Sequence, residues 1–100
     1  MADRRIPTPA DPDARVLYLT RTGCHLCDEA LPLVRAEADR AGTTVEVRDI
    51  DEDETLRRDW DFDVPVIIVD GKLHARYRVD AEQLRAALKL PLWRRLLRRD

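Results

Sequence analysis

Apolar positions along this chain fall into short groups whose spacing changes from group to group, and those changes lay out the elements. Ala14 to Thr20 is a short apolar, β-rich run, the pattern of a buried strand. After a turn at Arg21-Thr22-Gly23 a helical repeat begins at Cys24. Leu26, Ala30, Leu33, Val34 and Ala38 share one face of it, and Gly42 stops it. Pro32 lies inside that helix, where it removes a backbone hydrogen bond and should kink the axis. Thr43 to Ile50 alternates through Val45, Val47 and Ile50 as a second strand does. The acids Asp51-Glu52-Asp53-Glu54 then open a short helix at the end its dipole favours.

Val64-Pro65 introduces the run Val66-Ile67-Ile68-Val69, a central strand that tolerates proline only at its start. Asp70-Gly71 is a strong hairpin signal and leads into a further strand from Lys72 to Tyr77. Asp80 with Gln83 resembles a capping box, and Ala81, Leu84, Ala87 and Leu88 supply the apolar stripe of a last helix. Pro91 breaks or restarts it. The order is β-α-β-α-β-β-α. Residues 1–13, with Pro7, Pro9 and Pro12 and no periodicity, are expected to form a flexible leader, and residues 91–100 a basic tail. In that tail Trp93, Leu96 and Leu97 share a face, suited to packing on the domain or to an acidic partner or membrane surface.

Composition narrows the class. One hundred residues make one domain that buries roughly two-thirds of the surface its unfolded chain exposes. A formal net charge of −2 gives no global reason to expect nucleic acid or an anionic membrane as partner. No stretch resembles a signal peptide or a membrane span, so the cytoplasm is the expected compartment. In a reducing compartment, a lone close pair of cysteines points to catalysis or metal binding rather than to a structural staple.

That pair is Cys24-His25-Leu26-Cys27, between a strand and the start of a helix, and the chain has no other cysteine. A helix N-terminus carries roughly +0.5 of an elementary charge and unpaired amides, which favour a thiolate over a thiol. In such motifs the thiol pKa falls from ~8.5 into the range ~3.5–7.5. Cys24, at the exposed lip, is the expected nucleophile and Cys27, one turn inside, the resolving thiol. Arg21 and His25 favour the Cys24 thiolate, whereas Asp28 and Glu29 oppose it. The bland alternative is two small buried hydrophobes. Haem attachment would need a histidine where Asp28 stands. Zinc would have to draw on Cys24, Cys27, His25 and His74, or bridge two subunits, as an iron–sulfur cluster could also do.

The element order, the Cys-x-x-Cys at the head of the first helix and the proline opening the third strand together resemble the thioredoxin fold. Within it the chain is similar to the glutaredoxin-like family of small bacterial proteins, over about residues 14–90. Arg21-Thr22-Gly23-Cys24, Pro32, the spacing from Trp60 to Pro65 and the dipeptide Val64-Pro65 carry the likeness. The resemblance implies an α/β fold with a mixed four-stranded sheet and three flanking helices. It also implies a cis Val64–Pro65 bond that frees the Val64 backbone to pair with substrate. Asp80 corresponds to the family's acid at the last helix. The implied activity is thiol–disulfide oxidoreduction by a monomer without tightly bound cofactor, with a low-molecular-weight thiol or a reductase as electron donor. An adaptor or metal-bridged dimer on the same fold is the alternative.

Two departures shape the substrate expectation. His25-Leu26 replaces the usual proline and aromatic, and Ala75-Arg76-Tyr77-Arg78-Val79 stands where the family keeps a glycine pair. Weak use of glutathione is expected, with better reduction of protein disulfides or another thiol's mixed disulfide. Arg76 and Arg78 form a basic rim and Asp63 an acidic one. Tyr18 occupies the strand on which thioredoxins proper often place a buried acid.

Overall fold

In the computed structural model, which describes residues 5–89, β1 (Val16–Thr20) and β3 (Val66–Val69) form the centre of a four-stranded sheet. Their neighbours are β2 (Val45–Asp49) and β4 (Lys72–Arg76), giving the order β2-β1-β3-β4. β1 pairs parallel with β2 and antiparallel with β3, and β3 pairs antiparallel with β4. The helices are α1 (His25–Arg40), α2 (Glu54–Trp60) and α3 (Ala81–Leu88). The α/β topology is the expected one.

Unbroken apolar runs in β1 and β3 follow from burial on both faces, since successive side chains of a strand point to opposite sides. Val16, Tyr18, Ile67 and Val69 join a core with Cys27, Val34 and Ala38 of α1 and Leu84 and Leu88 of α3. Leu17, Leu19, Val66 and Ile68 face the other way, into a core with Ile50, Leu56 and Trp60. α1 and α3 therefore cover one face, and α2 covers the other.

Turn chemistry sets the boundaries. Asp70 (φ 50°) and Gly71 (φ 81°) both adopt the left-handed conformation that a two-residue hairpin turn requires. Arg15 clamps that turn through two bonds to the Asp70 carboxylate, at 3.0 and 2.9 Å. Asp80 caps α3 by accepting the Gln83 N–H at 2.9 Å. The acidic stretch behaves differently from the expectation. Ile50–Glu52 forms a single tight 3-10 turn, and Asp53 caps α2 by accepting from the amides of Thr55 and Leu56. Residues 5–13 form no helix or strand, yet Ala10 and Asp11 donate to the Glu46 carboxylate at 3.0 and 2.8 Å. Pro91 and the basic tail lie outside the described residues.

α1 corrects one detail of the sequence reading. Its buried side chains are Cys27, Val34, Glu37 and Ala38, whereas Leu26 is 45% exposed. One residue is about 100° of helical rotation, so a stripe centred on Cys27 turns Leu26 towards solvent. Glu37 is buried because Arg85 of α3 holds it with two bonds, at 2.9 and 2.8 Å. That pairing holds the Glu37 carboxyl below its usual range. Pro32 lies on the exposed side, and α1 runs unbroken through it.

Candidate active site

Three residues lead from β1 to the cysteines. Gly23 takes φ 82°, a conformation open to glycine without steric cost, and the Cys24 N–H closes the turn on the Arg21 carbonyl at 3.3 Å. Cys24 is the N-cap of α1. Its sulfur accepts the Cys27 N–H at 3.1 Å, and its carbonyl accepts the Asp28 N–H at 3.1 Å. The two cysteines are joined as a disulfide across a Cα separation of 5.2 Å. Cys27 is 1% exposed, whereas Cys24 is partly open to solvent. In the dithiol form, the amide now aimed at the Cys24 sulfur is placed to stabilise a thiolate there.

Tyr18 lies directly beneath this pair. It is fully buried, and its hydroxyl donates to the Cys27 carbonyl at 2.7 Å. Burial, helped by the negative charge of Asp28, pushes its pKa up to about 12. At neutral pH it is a hydrogen-bond donor and not a base.

The second wall comes from the loop before β3. Val64–Pro65 is cis, and the Leu19↔Val66 register places it at the same end of the sheet as the Cys24 turn. Arg21 ties the two together. Its guanidinium bonds Asp51 at 3.1 and 2.7 Å, and the Asp61 carboxylate and carbonyl at 2.8 Å each. Surrounded by two carboxylates, Arg21 belongs to a cluster of net negative charge, which offsets the bias it was expected to give Cys24. His25 is 88% exposed and contacts Glu29 at 2.9 Å, so solvent screens its influence on Cys24.

The β4–α3 segment forms the third wall, and sequence reasoning read it incompletely. Asp63 was expected as an acidic rim; it is instead 5% exposed and accepts the Tyr77 hydroxyl at 2.6 Å. Arg76 lies 3.9 Å from the same carboxylate and 5.9 Å above the Tyr77 ring. Tyr77 has φ 70°, and the Arg78 N–H donates to the Arg76 carbonyl at 2.7 Å, which together describe a strained γ-turn. For a bulky residue that conformation costs about 1–3 kcal/mol and persists only where its surroundings enforce it. The Tyr77 N–H also donates to the Pro65 carbonyl at 2.9 Å. Asp80, at the end of the same segment, uses its carboxylate to cap α3.

Between α1 and this wall runs a cleft of about 370 Å³, lined by Leu26, Glu29, Ala30, Leu33, Tyr77, Arg78 and Val79. A larger depression of about 640 Å³ lies along α2 and residues 61–63; neither cysteine lines it or the cleft, which meets the dithiol through Leu26.

A glutaredoxin-like domain (DUF836) model matches residues 15–89. The chain belongs to the glutaredoxin-like family. Two solved structures are similar to this glutaredoxin-like protein over most of its length. Protein Ne2328 of Nitrosomonas europaea shares 28% identity, with 80% of this chain and 96% of that one covered and a TM-score of 0.61. The X. campestris protein XcR50 shares 30% identity, covering 76% and 99% with a TM-score of 0.62. Thioredoxin 1 of Thermosipho africanus, at 20% identity, 82% and 92% coverage and a TM-score of 0.56, shares the fold. No curated protein matches the sequence. Among the described residues no helix is long and apolar enough to cross a membrane.

Proposed function

We propose that this glutaredoxin-like protein is a cytoplasmic thiol–disulfide oxidoreductase. The observation that carries the reading is the asymmetry of the pair: a partly exposed Cys24 whose sulfur accepts a helix N-terminal amide, and a buried Cys27 one turn behind it. The Cys24 thiolate attacks one sulfur of a substrate disulfide, forming a mixed disulfide and releasing the other half as a thiolate. Cys27, deprotonated to solvent or to the leaving thiolate, then attacks the Cys24 sulfur. The second half of the substrate leaves, and the Cys24–Cys27 bond remains. Two electrons pass to the substrate, and a low-molecular-weight thiol or a reductase returns them. A potential of about −270 to −200 mV, between thioredoxins and glutaredoxins, suits that exchange.

Substrate would lie against the Val64 backbone, beside the cis Pro65, with Asp80 fixing the neighbouring helix start. Protein disulfides and mixed disulfides of small thiols are the proposed substrates, with glutathione a poor one. Arg21 acts by holding the Asp61–Val64 loop, and His25 is an exposed neighbour that tunes Cys24 only weakly. Replacing Cys27 by serine should trap a mixed disulfide on Cys24, detectable by mass; trapping on neither cysteine would overturn the mechanism. Metal content and solution mass of anaerobically purified protein separate this reading from an adaptor or metal-bridged dimer.

A further inference from the structure

We infer that Tyr77, held by Asp63, is a positioning residue of the cleft beside α1, and that this cleft selects disulfides on an extended peptide with an apolar residue next to the cysteine. The inference rests on the redox reading above and adds a substrate class to it.

Leu26 stands between the two cysteines and is 45% exposed, two positions from Cys24. A peptide joined to Cys24 by a mixed disulfide therefore has an apolar surface within reach, and Ala30, Leu33 and Val79 extend that surface along the cleft. Glu29 and Arg78 line the same cleft with opposite charges, so it offers little net attraction to an anion or a cation. Its volume of about 370 Å³ falls in the usual range of ligand clefts, ~300–1,000 Å³. The occupant that fits is an apolar side chain on a neutral stretch of backbone.

The opposite wall is built against local preference. Glycine would adopt the φ 70° of Tyr77 without strain, yet the chain places a tyrosine there. Its hydroxyl is fixed by the buried Asp63 at 2.6 Å, and its amide by the Pro65 carbonyl at 2.9 Å. Two bonds thus join the cleft wall to the cis-proline loop on which substrate backbone would lie. The clasp sets the distance between the surface for the peptide's backbone and the surface for its side chain.

Single-turnover reduction tests this with the full chain, reduced and freed of reductant. One substrate is a peptide disulfide with leucine beside its cysteine; the others are the same peptide with glycine there, and hydroxyethyl disulfide. Tyr77→Phe, which keeps the ring and removes the hydroxyl, should raise the half-saturating concentration of the leucine peptide several-fold, up to about tenfold if the whole worth of the bond that holds the wall is lost on binding. The limiting rate should change far less. Tyr77→Gly, which also relieves the backbone, should lose more on the leucine peptide than on hydroxyethyl disulfide. Variants that saturate as the wild type does, or that lose equally on all three substrates, would overturn the inference while leaving the redox reading intact. A wild-type protein that cannot reduce even hydroxyethyl disulfide would overturn both.

Discussion

The hydroxyl of Tyr18 donates to the carbonyl of Cys27 at 2.7 Å, so the strand that leads into the dithiol also anchors the buried half of it from below. Tyr18→Phe removes that donor while keeping the ring, and should destabilise the fold by about 1–2 kcal/mol, measured by chemical denaturation at pH 7. Alkaline pH gives an independent check. Burial raises the Tyr18 pKa from 10.0 to about 12, so the folded protein holds a proton that the unfolded chain releases. The stability this contributes is complete below pH 10.0 and is lost as pH rises through about 12. Wild type should lose stability in that window more steeply than Tyr18→Phe. Parallel curves would contradict the assignment.

Arg21 separates charge from geometry. Lysine would keep the charge but lose the planar fork that holds Asp51 and Asp61 together. Arg21→Lys should therefore speed amide exchange across Asp61 to Val64 much as Arg21→Ala does, with a small loss of global stability. The Cys24 thiol of the lysine variant should titrate close to wild type. Full restoration of loop protection by lysine would show that charge alone is what Arg21 supplies.

Acid should weaken the packing of α3 on α1. Arg85 holds the Glu37 carboxyl below its ordinary 4.5, so the pairing contributes stability above that pH. The contribution is lost as pH falls through the lower folded-state value. Glu37→Gln should be less stable than wild type at pH 7 and should lose less stability between pH 5 and pH 3. Denaturant midpoints across that range measure it, and equal slopes in the two proteins would refute it.

The fold was legible because its signals are local. Continuous apolar runs marked β1 and β3, Asp70-Gly71 marked the hairpin, and Gly42 and Asp80 marked helix ends. The cysteine pair was legible for the same reason. What the sequence concealed depends on tertiary docking. The facing of α1 is set by the seat of Cys27 in the core, which no helical repeat specifies to within one residue. Arg21 meets Asp51 and Asp61 across separations of 30 and 40 positions, so its commitment to them has no local signature. Asp63 and Tyr77 meet only once the β3–β4 hairpin folds back, which turned an expected acidic rim into a buried clasp.

The central claim is that the dithiol itself delivers the electrons, and its most direct test follows the cysteines through one turnover. Reduced protein, freed of reductant, is mixed with an equimolar peptide disulfide, quenched with an alkylating agent and cleaved, and the fragment holding Cys24 and Cys27 is weighed. The expected result is a fragment with Cys24 and Cys27 joined and unalkylated, and both halves of the peptide recovered as alkylated thiols. Recovery of the peptide disulfide intact, with both cysteines alkylated, would contradict the account.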